Sequence, residues 1–151
     1  MDTSALEAAY RDLLAVARGG PFTAPEQGPD APALLASLVA TDRLLAGVTA
    51  GLLAGATPSY DSTPATSPAY LAALAKSAGD HDGLVAEVRR CGLVLVLLAR
   101  DLGEAAARPV DVRLVDDTGV RLAAPMPWSG VLSTHAEVDL PARTAALAAL
   151  A

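Results

Sequence analysis

The segment LLASLVATDRLLAGVTAGLLAG, residues 34–55, carries Leu34, Leu35, Leu38, Leu45, Val48, Leu52 and Leu53 at the spacing of an amphipathic helix. Asp30 stands where it can cap the first turn, and Gly55 stands where the helix should stop. A face this wide must be buried against other helices. The composition agrees, because 52% of the residues are hydrophobic but only 3% are aromatic, a mix of Ala, Leu and Val that suits close helix packing better than aromatic-rich strands. We therefore expect a mainly all-α fold. At 151 residues the chain is long enough for one core, and a single domain over residues 1–151 is the simplest organisation.

Working outward, residues 3–18 place Leu6, Ala9, Leu13, Val16 and Ala17 on one helical face before Gly19, Gly20 and Pro21 break it. Beyond the long polar connection ATPSYDSTPATSP (56–68), a stretch from Pro68 to about Leu102 reads as one kinked helix or as two, divided at GDHDG (79–83). VDVRLV and GVRLAA alternate around the turn sequence DDTG and predict a short hairpin, which needs helices to cover it. The last helix starts near Trp128, and Pro141 should kink it. Three long helices and a fourth after a long connection fit a four-helix bundle with a crossover.

A net charge of −6 offers no basic stripe to neutralise phosphates, so nucleic acid is not an expected partner. Cys91 is the only cysteine, which rules out an intramolecular disulfide, and it reads as a buried small hydrophobe. MDTSALEAAYRD has acids where a signal peptide needs bases, and GLVLVLLA is too short to span a bilayer. No membrane association is expected, and a cytoplasmic location is. Ala-rich faces permit a homodimer.

The chemistry concentrates in THAEVDLPARTAALAAL, residues 134–150, where His135 and Asp139 lie four apart on one helical face. Four motifs in order, LLASLVATDRLLAGVTAGLLAG, TPSYD, LVAEVRRCGLVLVLLA and VDLPARTAALAAL, resemble the actinobacterial branch of the DinB-like bundles, which includes the N-terminal domain of mycothiol-dependent maleylpyruvate isomerase. The resemblance implies a DinB-like bundle whose cavity holds a divalent metal on three histidines, one from the second helix and two from the last. In enzymatic members, the metal binds the thiolate of a low-molecular-weight thiol such as mycothiol. A metal with an open fourth position suits that chemistry.

At the matching positions this chain has Ser37 for the second-helix histidine, and Asp139 and Arg143 for the pair in the last helix. The site is degenerate. Asp139 and Arg143 share a helical face and can pair, which would keep a cation out. A second register takes His135 and Asp139 as metal ligands with Ser37 as a weak third. His135 on its own reads as a surface or capping residue, His81 as part of a solvated turn, and Arg89 and Arg90 beside Glu87 as an exposed helix face. A Ser37, His135, Asp139 nucleophilic arrangement lacks a supporting motif, and the glycines form no phosphate loop.

Two functions are weighed. The first is a cavity-binding or interaction module without a metal cofactor, in which Ser37, Asp139 and Arg143 form the polar patch and Arg143 holds the carboxylate of a small, acidic ligand. The second is an enzyme: a mycothiol-type transferase or isomerase using zinc or nickel, or a metal-free catalyst with Asp139 as base and Arg143 as electrostatic stabiliser.

Overall fold

The computed structural model describes residues 1–151 and is mostly helical, with a small three-stranded sheet. Helix α1 spans Ser4–Ala17, α2 Ala31–Leu53, α3 Pro68–Ala78, α4 His81–Arg100, α5 Trp128–Thr134 and α6 Leu140–Ala148. Strands β1 (Ser59–Asp61), β2 (Pro109–Asp116) and β3 (Gly119–Pro127) make the sheet.

Helix α2 is central. Asp30 caps it as its sequence suggests, Oδ1 accepting from the Ala33 amide at 2.9 Å, and Gly55 leaves it with a φ of 76°. Its apolar stripe packs chiefly on α4 and α3, and Leu35, Leu38, Val39, Leu45, Val48 and Leu52 are buried. The helix is long and apolar enough by composition to cross a membrane, yet that same surface forms the core of this fold. Polar Thr41, Asp42 and Thr49 are buried in the same helix.

The stretch after Pro68 is two helices. Gly79 takes a φ of 90°, Asp80 then caps α4 by accepting from the Gly83 amide at 2.8 Å, and any Cβ on Gly83 would lie 2.0 Å from the Ala78 carbonyl oxygen. His81 does not sit in a solvated turn. It is half-buried, and its Nε2 lies 2.7 Å from the Ala17 carbonyl oxygen, tying the start of α4 to the end of α1. Cys91 is buried, and Glu87 forms an exposed ion pair with Arg90 and another with Arg43.

The hairpin forms where DDTG predicts it, with Pro109 opposite Pro127 and Asp116 opposite Gly119. Asp116 accepts from the Thr118 amide at 2.8 Å and fixes the turn. The polar connection before α3 also supplies a third strand: β1 pairs in parallel with β2, Tyr60 opposite Val112. A three-residue strand shows no readable period, and its place depends on burying Tyr60 next to Trp128, their rings 5.8 Å apart.

The last helical segment is interrupted just before Pro141. Between α5 and α6, His135–Asp139 form one π-helical turn, so the chain widens where the proline ring would otherwise press on the preceding turn. This replaces the simple kink expected at Pro141.

Candidate functional site

The π-turn delivers His135 into the core against α2 and α1. His135 is 1% exposed and Asp42 0% exposed, so His135 is not the surface or capping residue that the sequence suggests. Asp42 Oδ1 accepts from the Tyr10 hydroxyl at 2.7 Å and lies 3.1 Å from His135 Nε2, while the Tyr10 oxygen is 3.2 Å from the same nitrogen. One proton arrangement satisfies all three contacts: Nε2–H donates toward Asp42 and the tyrosine oxygen, and Tyr10 donates to Asp42.

That arrangement leaves two buried atoms without partners, Asp42 Oδ2 and His135 Nδ1. Nδ1 faces Asp139 Oδ2 at 3.6 Å, too far for a hydrogen bond but close enough for charge attraction. Burial disfavours the imidazolium, yet Asp139 and Asp42 outweigh it and raise the His135 pKa above its ordinary value. Burial, and then the Asp42 charge, push the Tyr10 pKa well above the usual phenol range. Tyr60 is pushed up to about 12, by burial first and then by the charge of Asp139.

Ser37 and Arg143 do converge. Arg143 Nη1 donates to Ser37 Oγ at 3.2 Å and Nη2 donates to Thr41 Oγ1 at 3.3 Å. Both hydroxyls spend their own protons on backbone carbonyls, Ser37 on Ala65 at 3.3 Å and Thr41 on Ser37 at 2.9 Å, so their lone pairs are free to receive the guanidinium. Asp139 and Arg143 do not form the expected ion pair: Asp139 turns to His135, Arg143 reaches across to α2, and no carboxylate lies within 4.0 Å of the guanidinium.

A pocket of about 240 Å³ opens between this polar cluster and the sheet. Leu45, Val112, Leu114, Leu122, Met126 and Val131 give it apolar walls, Tyr60 adds a phenol, and Thr41, Thr134, His135 and Asp139 make one end polar. Most of a ligand would meet hydrocarbon, and its polar atoms would meet one end.

The three-ligand metal site implied by the DinB resemblance does not fit these residues. Asp42 and Asp139 lie against opposite nitrogens of the His135 ring, so a single ion cannot take both together with the imidazole. Ser37, the third candidate, already receives the Arg143 cation. No group of three His, Cys, Asp or Glu side chains converges elsewhere.

Sequence reasoning missed Asp42 and Tyr10. A signal for Asp42 was present: it falls between Leu38 and Leu45 on the apolar stripe of the inner helix, where a charge requires a buried partner. Tyr10 carried no such signal, since a tyrosine on an amphipathic helix fits a core without any hydrogen bond being specified. No family model, no curated protein and no solved structure matches the chain.

Proposed function

We propose that the chain is a DinB-like four-helix bundle of the maleylpyruvate isomerase N-terminal type with a degenerate metal site, working in the cytoplasm as a binding module for a small acidic molecule. In this reading α1, α2, α4 and the broken helix α5–α6 are the four helices, and the long segment from α4 through the hairpin is the crossover. The observation that carries the reading is Arg143, a half-buried cation satisfied only by two neutral hydroxyls, one of which, Thr41, also lines the apolar pocket. A carboxylate offers that guanidinium a stronger, bidentate partner than the hydroxyls do. The pocket's size limits the ligand to a compact acid whose apolar body covers the sheet-side wall.

The test is calorimetric titration with a series of small aliphatic and aromatic monocarboxylates and their neutral amides. A matching acid binds and its amide does not, and Arg143→Ala weakens the acid by about tenfold to a hundredfold, the range of a charge-assisted hydrogen bond. Equal affinity in Arg143→Ala, or equal affinity for acid and amide, overturns the proposal.

The buried Asp42 and His135 pair next to Asp139 supports a second reading, a metal-free acid–base enzyme in the same pocket. Here Asp139 acts as base, Arg143 stabilises developing negative charge, and His135 positions Asp139. Exchange of the acid's α-hydrogen in D₂O, lost in Asp139→Asn while binding persists, is its expected signature. Exchange that continues in Asp139→Asn refutes it.

A further inference from the structure

A second feature lies on the opposite side of Tyr10. Helices α1 and α4 run antiparallel, with Arg100 on Glu7 at one end and His81 on Ala17 at the other. Gly92 brings the helices together: a Cβ there would lie 2.7 Å from the Tyr10 ring. Along the resulting groove, α1 presents Glu7, Arg11 and Leu14, with Arg18 just past its end, and α4 presents Arg89, Leu93, Val96 and Arg100. Both edges follow the same i, i+4, i+7, i+11 spacing, which is three turns of helix or about 16 Å.

The groove's floor is apolar and its rim is cationic. Leu93 is 56% exposed, Leu97 49% and Val94 42%, so an uncovered apolar ridge continues from the groove along α4. Arg100 is paired with Glu7, whereas Arg11, Arg18 and Arg89 have no carboxylate within 4.0 Å. Four of the chain's 11 basic residues thus gather on one face of a protein with a net charge of −6. The sequence reading of Arg89 as part of a merely solvated face leaves this gathering unexplained.

We propose that the groove between α1 and α4 is a docking site for an acidic amphipathic helix of a partner protein. An incoming helix of about three turns fills the groove, sets its apolar residues on Leu14, Leu93 and Val96, and places flanking carboxylates against Arg11, Arg18 and Arg89. Charge disfavours a second copy of this chain that pairs groove to groove. Two-fold pairing of the groove would set arginines against arginines, and its only carboxylate, Glu7, is already engaged. A small anionic amphiphile is disfavoured because the exposed apolar surface continues beyond the groove to Val94 and Leu97, more than a ligand confined to the groove would cover.

Fluorescence anisotropy on the full chain tests this with a labelled model helix of about fifteen residues carrying Leu at i, i+4, i+7 and i+11 and Glu beside them, and a control with Lys for every Glu. The acidic peptide should bind saturably and weaken by about tenfold or more between low and high salt. Arg11→Glu combined with Arg89→Glu, or Leu93→Asp alone, should weaken it by about tenfold or more. These are exposed positions, and unchanged circular dichroism shows that the variants fold. The proposal is overturned if the Lys peptide binds as well, if the acidic peptide fails to saturate or ignores the arginine substitutions, if laurate binds the groove with the same arginine dependence and displaces the peptide, or if light scattering finds a dimer that Leu93→Asp dissociates.

Discussion

Replacing Asp42 by Asn keeps the shape of the side chain and removes its charge from the centre of the core. In the native protein, Asp42 Oδ1 serves two contacts, Tyr10 at 2.7 Å and His135 Nε2 at 3.1 Å, at a site with 0% exposure. Removing one member of a buried charged pair costs about 3–5 kcal/mol, and the amide oxygen of Asn can still accept both hydrogen bonds, so the expected loss is about 3 kcal/mol. With a urea slope of about 2 kcal/mol per molar, the unfolding midpoint should fall by about 1.5 M.

The effect should also depend on pH. His135 has a folded pKa above its ordinary value of 6.5, so its stabilising charge is fully present below that value and is lost as pH rises through the folded pKa. The Asp42→Asn substitution withdraws one of the two carboxylates that raise it. The gap between native and variant should therefore widen toward acid, where a charged His135 is left with Asp139 alone, and narrow toward alkaline pH. Urea melts across the pH series, with the imidazole C–H resonances followed by NMR, give both quantities. A loss below about 1 kcal/mol at all pH values, together with an unshifted His135 titration, would refute the reasoning.

Further tests follow from single contacts. Gly92→Ala forces a methyl into the Tyr10 ring and should cost about 1–3 kcal/mol, read as a lower thermal midpoint, whereas Gly47→Ala, whose Cβ meets nothing within 4 Å, should not destabilise. Trp128→Phe removes the indole donor 3.0 Å from Thr49 Oγ1, but the hydroxyl keeps its own hydrogen bond to the Leu45 carbonyl oxygen at 2.7 Å, so the loss of that one bond should cost about 0.5–1.5 kcal/mol in urea melts.

The sequence by itself determined most of the helices and the hairpin, because these depend on local rules, but it left open whether the stretch after Pro68 is one helix or two and expected a simple kink where the π-turn lies. The leucine stripe of α2 apart from exposed Leu53, the Asp30 cap, the break at Gly79 and the DDTG turn act over a few residues, and each is found in the stretch the sequence marks. It also marked Ser37 and Arg143 as neighbours, although only through a resemblance, and the structure puts them 3.2 Å apart. What it could not decide was the choice of partner. Asp42 is 32 residues from Tyr10 and 93 from His135 in the chain, and a periodic pattern shows that a face is buried without showing which polar groups meet there. The same limit explains Asp139 and Arg143, which share helical spacing yet face different elements once the π-turn sets the path of the chain. Tertiary packing removes water from Asp42 and His135, and that desolvation forces the buried charge and the imidazole to satisfy one another. It also fixes which of the remaining polar groups border the pocket.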